Sequence, residues 1–85
     1  METWRDIPGH FGQYQISTEG RVRNRRHRLL ATFLDPPYMR VRLSGRNAGT
    51  YYVHQLMGIT FLDTPYVIHI NNIRADNRLE NLYPR

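Results

Sequence analysis

The alternation of apolar and polar residues along this 85-residue chain predicts a series of short β-strands. It is clearest over residues 38–43, YMRVRL, where Met39, Val41 and Leu43 share one face and the two arginines point the opposite way. The sequence SGRNAG that follows is typical of a hairpin turn. Shorter runs of the same alternation predict strands over residues 13–17, 21–23, 50–53 and 66–70.

One segment has the spacing of a helix rather than of a strand. In HQLMGITFL, residues 54–62, the large apolar side chains fall on about one side, and Pro65 follows the end of the segment. Residues 25–37 fit either a short strand pair or one helical turn, and ADNRLENLY predicts a loop leading into a helical turn. Together these elements predict an α+β fold with N-terminal antiparallel β-hairpins and one short helix.

The composition excludes several classes of protein. The chain has no cysteine, which excludes disulfides, thiol nucleophiles and cysteine-ligated zinc. It has no run of 18 apolar residues, and its N-terminus, METWRDIPG, lacks the apolar segment of a signal peptide. We therefore expect a cytoplasmic protein with no membrane partner. The length predicts one compact domain.

The charge is positive and unevenly placed. The net charge is +5, and all 12 basic residues are arginine. Between Gly20 and Arg46 there are eight arginines against Asp35 alone, whereas the rest of the chain carries four arginines and six acids. The eight form two clusters, Arg21, Arg23, Arg25, Arg26 and Arg28 in the first and Arg40, Arg42 and Arg46 in the second.

An arginine-rich hairpin surface favours nucleic acid as its partner. The planar guanidinium matches phosphate geometry, and a β-ribbon can enter the major groove. If five to eight of these arginines contact phosphates, the affinity for double-stranded DNA falls with salt with a slope on the order of −5 to −7. An acidic protein surface or a membrane surface is the alternative interpretation of the same charge.

Three segments carry a resemblance to a known family. TWRDIPGHFGQYQISTEGRVRN resembles the N-terminal module found with phage and intron HNH homing endonucleases, which begins Trp-x-Asp-Ile-x-Gly and continues Tyr-x-Ile/Val-Ser-x-x-Gly-x-Val. VHQLMGITF resembles the family's VHRLVAxxF helix, and HINNIRADNRLENL resembles its HxDGNxxNNRxENL segment. The residues of the module that match are Trp4, Asp6, Ile7, Gly9, Tyr14, Ile16, Ser17, Gly20 and Val22.

The resemblance implies a ββα-metal nuclease unit at the C-terminal end. It makes His69 the general base that activates the attacking water, with Mg²⁺ or Mn²⁺ as the cofactor if the centre is active. It gives Asn77 and Asn81 the role of bracing the loop. It also divides the chain into a nuclease-associated β module, residues 1–34, and a hairpin, helix and truncated HNH-like segment, residues 35–85.

The chain departs from the family pattern at the metal. Ile68 stands where the family usually has an Asp or Asn that binds the cation, and the helix that carries the family's second ligand is expected to be missing after NLYPR. No metal ligand is therefore predicted, and we expect an impaired nuclease centre. His54 is predicted to brace the core, and His10 and His27 to lie on the surface.

Three functions follow from these observations. The first is a phage-type DNA-binding protein of the HNH endonuclease family with an impaired nuclease centre. The second is an active, metal-dependent nicking endonuclease. The third is a phage protein that blocks a host enzyme or nucleoprotein complex through its arginines. Whether the chain is an enzyme, and its target site and oligomeric state, are left open by the sequence.

Overall fold

The computed structural model describes all 85 residues, which form eight strands, one α-helix and one 3-10 turn. The strands are short, and the α-helix lies between the sixth and the seventh. The elements are β1 Trp4–Asp6, β2 Tyr14–Ser17, β3 Val22–Asn24, β4 Thr32–Asp35, β5 Tyr38–Leu43, β6 Gly49–Tyr52, α1 Val53–Phe61, β7 Val67–His69, the 3-10 turn Leu79–Asn81 and β8 Leu82–Pro84.

The strands pair into three small antiparallel sheets. The first sheet has the order β1-β2-β3, the second β4-β5-β6, and the third contains β7 and β8. Strands β4 and β5 are joined by a two-residue turn, whereas β7 and β8 are joined by a longer loop that contains the 3-10 turn. In the third sheet His69 lies opposite Leu82, and both side chains point into the protein.

The predicted α+β fold is confirmed, with differences at three places. The helix begins at Val53, which the alternation had assigned to the preceding strand. Residues 25–37, left open between strand and helix, contain β4 paired with β5. The strands β1 and β8 were not predicted, because neither has an alternating pattern and each is stabilised by backbone bonds to its neighbour.

One hydrophobic core joins the three sheets. Nine buried apolar side chains form a single cluster, with α1 packed against strands of every sheet. Strand β4 spans the predicted boundary between residues 34 and 35, and residues on both sides of this boundary contribute to the core. The division of the chain at residue 34 therefore stays a prediction. The core residues are Ile7, Ile16, Val22, Val41, Leu43, Val53, Leu56, Met57 and Leu82.

Two glycines allow close approaches that set the position of β7 and of its loop. A Cβ at Gly58 in α1 would lie 2.1 Å from the Thr64 carbonyl oxygen, so the chain can turn back tightly only over a glycine. Gly20, with a φ of +81°, packs in the same way against the backbone of Asn77. No helix of this fold has the length and apolar character that are needed to cross a membrane.

Candidate functional site

His69 lies at the end of β7 and is held in one orientation. Its ring is buried, and its Nε2 lies 2.8 Å from the side-chain Oδ1 of Asn77. Because that oxygen can only accept, Nε2 carries the proton and donates it, and Nδ1 keeps its lone pair. The ring is thus oriented through Nε2, and Nδ1 is not used in that contact.

The loop after His69 is stabilised by Asn81. The Asn81 side-chain amide donates to the Asn71 side-chain oxygen and to the Asp76 carbonyl, both at 2.9 Å, and its oxygen accepts from the Asn71 backbone at 3.1 Å. Asn77 therefore contacts the histidine, whereas Asn81 holds the loop. Sequence reasoning had given both asparagines the second role.

Asp76, the carboxylate of this loop, is already paired. Arg78 binds it with two side-chain nitrogens at 2.8 Å, and the Asn71 amide donates to it at 2.9 Å. These bonds, that with Arg78 above all, hold the pKa of Asp76 well below its usual range. The carboxylate is therefore engaged in holding the loop.

His54, in the first turn of α1, faces His69. The two ring centroids are 5.5 Å apart, and the His54 ring stacks on Tyr38 at 4.8 Å and lies against Tyr52 at 5.5 Å. Burial, with a smaller contribution from the charge of His69, lowers the pKa of His54 to about 4. His54 is thus neutral at pH 7, and its Nδ1 is buried without a partner.

The two histidines line a cavity of about 250 Å³ between β7 and the start of the helix. The rest of its lining comes from the residues around β7, the loop after it and the end of β8. No Asp or Glu is among them. The polar lining residues are Tyr38, His54, Tyr66, His69, Asn72, Arg74 and Arg85.

The cavity does not fit the hard divalent cation that the fold family implies. Such a cation takes carboxylate and carbonyl oxygens, and no group of three or more His, Asp or Glu in the chain could hold one. Asp76 is occupied by Arg78, and Ile68 beside the histidine offers no oxygen in its side chain. The arginines in the lining add positive charge where a metal site requires negative charge.

Four of the eight predicted DNA-binding arginines have partners within the protein. Arg21 binds Glu2 at 2.5 Å, and Arg40 binds Asp35 at 2.9 Å while its guanidinium lies over a tyrosine ring. Their partners reduce the charge that these side chains present to solvent. The other two are Arg23, which lies 4.0 Å above the Trp4 ring, and Arg46, which lies 4.9 Å above the Phe11 ring.

The other four arginines have no ion pair, side-chain hydrogen bond or ring contact within the protein. All of them are exposed. Three lie together on the loop after β3, and the fourth projects from the outer face of β5. They are Arg25, Arg26, Arg28 and Arg42.

Two other predictions about histidines differ in outcome. His27 is exposed on the loop after β3, as expected. The expectation for His10 was wrong: its ring is buried between the edges of Tyr14 and Tyr51, with centroid distances of 6.1 and 5.2 Å, and burial lowers its pKa. A single histidine between Gly9 and Phe11 gives no local sign of this packing.

Sequence reasoning also missed four polar residues of the cavity, which are Tyr38, Tyr66, Arg74 and Arg85. Tyr38 had been placed correctly on the outer face of its strand, but nothing in the strand pattern indicates that this face meets His54. The two arginines lie outside the clusters that the charge distribution singled out. Only the pairing of β7 with β8 brings them beside one cavity.

Comparisons with known proteins agree with this geometry. Residues 2–44 match the family model described as the NUMOD4 motif. The fold is similar to the solved structure of I-HmuI, an HNH homing endonuclease that binds and cleaves DNA, with a TM-score of 0.79 and 31% identity. The similarity covers 94% of this chain and 50% of the other, so this chain spans about half of that length. No curated protein matches the sequence.

Proposed function

Because this chain belongs to the HNH homing endonuclease family, as its sequence motifs predicted, we propose that it binds double-stranded DNA while its nuclease centre is impaired. The observation that carries the first part is the set of four exposed arginines without partners. The observation that supports the second is the cavity beside His69, which is lined by no Asp or Glu side chain.

The unpaired arginines support DNA as the partner. An unpaired guanidinium on the surface presents its full charge and five N–H donors, and it loses no internal bond when it meets a phosphate. The loop that carries Arg25, Arg26 and Arg28 joins a β-strand to the rest of the chain, which suits insertion along a groove. Arg42, on the outer face of β5, would contact the DNA backbone beside the groove.

The first experiment measures the affinity for a DNA duplex at several salt concentrations by fluorescence anisotropy. Each phosphate contact contributes roughly −0.9 to the slope of log affinity against log salt, so the four unpaired arginines predict a slope of about −4. The variant with Arg25, Arg26 and Arg28 all changed to Gln should have a slope nearer about −1. An affinity that hardly responds to salt would refute DNA binding through these residues.

A matched control separates charge that is available from charge that is already paired. Arg21→Gln removes the same formal charge, but it removes it from a side chain that is already bound to Glu2. We expect it to change the salt slope less than Arg26→Gln does, because Glu2 already offsets the charge of Arg21. Equal effects of the two substitutions would show that net charge, rather than the availability of each arginine, controls binding.

The alternative function, metal-dependent nicking, is favoured by one observation. His69 is held in one orientation by Asn77 through Nε2, and Nδ1 is not used in that contact, which suits a general base. A supercoiled plasmid incubated with Mg²⁺ or Mn²⁺ tests it, beside His69→Ala as the control. We expect the plasmid to stay intact with both proteins, whereas nicking that disappears in the variant would show that the centre is active.

A phage origin, a cytoplasmic location and an acidic protein surface as a further partner belong to the same proposal. Each is supported by the sequence alone, through the family resemblance, the lack of cysteine and the excess of arginine. A protein partner would compete with DNA for the same unpaired arginines. If a protein partner still binds after Arg25, Arg26 and Arg28 are all changed to Gln, it must therefore use another surface.

A further inference from the structure

The turn between β1 and β2 presents the ring of Phe11 to solvent. This side chain is 62% exposed, and its residue has a φ of +55°, a backbone conformation that bulky residues rarely adopt. Gly9 and Gly12, which also have positive φ, complete the turn. Such a backbone conformation costs free energy, and a large apolar ring in water gains none of it back. The position of Phe11 therefore indicates a role in binding.

A groove of about 470 Å³ lies between this turn and the hairpin turn that follows β5, and we refer to it as the Phe11 groove. Its lining combines aromatic rings with groups that donate and accept hydrogen bonds. The lining residues are Phe11, Gln13, Tyr14, Ser44, Gly45 and Arg46. The Arg46 guanidinium lies 4.9 Å from the centre of the Phe11 ring, so the ring and the positive charge form one surface.

The two sides of the Phe11 groove are fixed to each other. The Asn47 side-chain amide donates to the Gly9 carbonyl at 2.5 Å, and the Ser44 backbone amide donates to the Tyr14 hydroxyl at 2.9 Å. The buried ring of His10 packs edge-on against the Tyr14 ring. The groove is therefore formed before any ligand arrives, and binding does not have to order it.

The Phe11 groove lies at the end of the molecule that carries most of the unpaired arginines. Tyr14 pairs with Asn24, so the turn before β2 and the loop after β3 leave the first sheet at the same end. That loop carries Arg25, Arg26 and Arg28. The other side of the groove directly continues β5 beyond its exposed arginine. No Asp or Glu lines the groove, so this end of the molecule attracts a polyanion.

We propose that the Phe11 groove binds an unpaired nucleobase of DNA, which stacks on the Phe11 ring beside Arg46. The inference rests on the DNA-binding function proposed above and adds a base contact to its phosphate contacts. A planar base offers its face to a phenyl ring, and its edge carries hydrogen-bond donors and acceptors. The Gln13 amide and the Ser44 hydroxyl can both donate and accept, so they suit the edge of such a base. A base inside a duplex is stacked on its neighbours, so the ligand is an unpaired one.

The test compares three short duplexes by fluorescence anisotropy. The first is fully paired, the second carries one extra, bulged thymine, and the third has an abasic residue in place of that thymine. The second and third have the same number of phosphates, so the ratio of their affinities measures the contribution of the base alone. We expect the protein to bind the bulged thymine roughly tenfold more tightly than the abasic bulge. Phe11→Ala should abolish this preference.

The outcomes separate this inference from the proposed function. Equal, salt-dependent binding of the bulged and abasic duplexes would refute the base site while DNA binding stands. A preference for the bulged thymine that survives Phe11→Ala would overturn the Phe11 groove as its site. A preference without measurable binding of the fully paired duplex would support the groove and refute the proposed function. If none of the three duplexes bound, both would be refuted.

Three further variants show whether the effect depends on an aromatic ring at this place. Phe11→Tyr keeps the ring and should keep the preference, whereas Phe11→Leu keeps only an apolar side chain and should lose it. Leu34→Ala removes another exposed apolar side chain, one that does not line the groove, and should leave the preference unchanged. Unfolding curves confirm that each variant is folded. Equal losses in Phe11→Leu and Leu34→Ala would show that exposed apolar surface in general, rather than the Phe11 groove, holds the base.

Discussion

His54 and His69 face one another across the cavity, and the partners of each ring set its chemistry. His69 donates from Nε2 to Asn77, and Nδ1 is not used in that contact. His54 has a buried Nδ1 without a partner, and burial keeps it neutral. At the residue scale, the contact with Asn77 fixes the orientation of the His69 ring, and the cavity beside it is lined by arginines and by no Asp or Glu.

The low pKa of His54 predicts how stability depends on pH. Its pKa is about 4 in the folded protein against an ordinary 6.5, so the unfolded chain binds more protons between these values. The free energy of unfolding should therefore be highest above pH 6.5 and fall as the pH is lowered toward 4. Burial lowers the pKa of His10 in the same direction and adds to the effect.

Urea denaturation between pH 7 and pH 5 measures this dependence above the range in which the carboxylates titrate. His54→Phe keeps the stacking on Tyr38 but cannot take a proton, so it should flatten the profile and leave the smaller slope of His10. His27→Gln, which removes an exposed imidazole, is the control. A profile that His54→Phe leaves as steep as before would show that His54 is not the group responsible.

At the scale of elements, α1 and β7 are connected by a turn that needs a glycine. The Leu62 and Thr64 backbone amides both donate to the Gly58 carbonyl, so the chain folds back on the last turn of the helix. This turn brings β7 alongside the helix and places His69 opposite His54. The geometry of the site therefore depends on a residue that has no side chain.

Gly58→Ala should strongly destabilise the protein. The new Cβ would lie 2.1 Å from the Thr64 carbonyl oxygen and 2.9 Å from Val67 Cγ1, and the backbone must move to relieve the overlap. We expect the free energy of unfolding to fall by on the order of 3 kcal/mol. Gln55→Ala, an exposed position on the same helix, should change it by less than about 0.5 kcal/mol. Equal effects would contradict this account of the turn.

At the scale of the whole molecule, the N-terminal sheet supports the loop that carries Asn77. The Leu79 backbone amide donates to the Thr18 carbonyl at 2.7 Å, and Gly20, in the turn between β2 and β3, packs on the backbone of Asn77. Residues matched by the NUMOD4 motif thus touch the segment that orients His69. The two halves of the chain act as one unit at this contact.

Gly20→Ala should disturb this contact and the histidine behind it. At a φ of +81°, a Cβ would lie 2.9 Å from the Asn77 carbonyl oxygen, so the variant adds both backbone strain and overlap. Gly45→Ala is a matched control, because Gly45 has a φ of +94° and open space around it. We expect Gly20→Ala to lower the free energy of unfolding by roughly 1–3 kcal/mol more than the control does. It should also shift the His69 NMR signal. An unshifted signal would contradict the coupling.

Local patterns allowed much of the fold to be predicted but less of the site. The alternation in β5 and the helical spacing after it follow from burial on one face, which the sequence records directly. Strand β8 could not be predicted, since a three-residue strand is stabilised by its partner rather than by its own pattern. The cavity could not be predicted either, because its lining comes from residues that are far apart in the chain.

By itself, the sequence determined the family, the α+β class, the position of the histidine at the end of β7 and the excess of arginine over acid. These depend on motifs, periodicity and composition, which are local properties of the chain. Only the tertiary structure decided that Arg21 and Arg40 are paired while Arg25, Arg26 and Arg28 are not. It also decided that the cavity beside His69 is positive, because the distances between charged groups depend on how the strands pack.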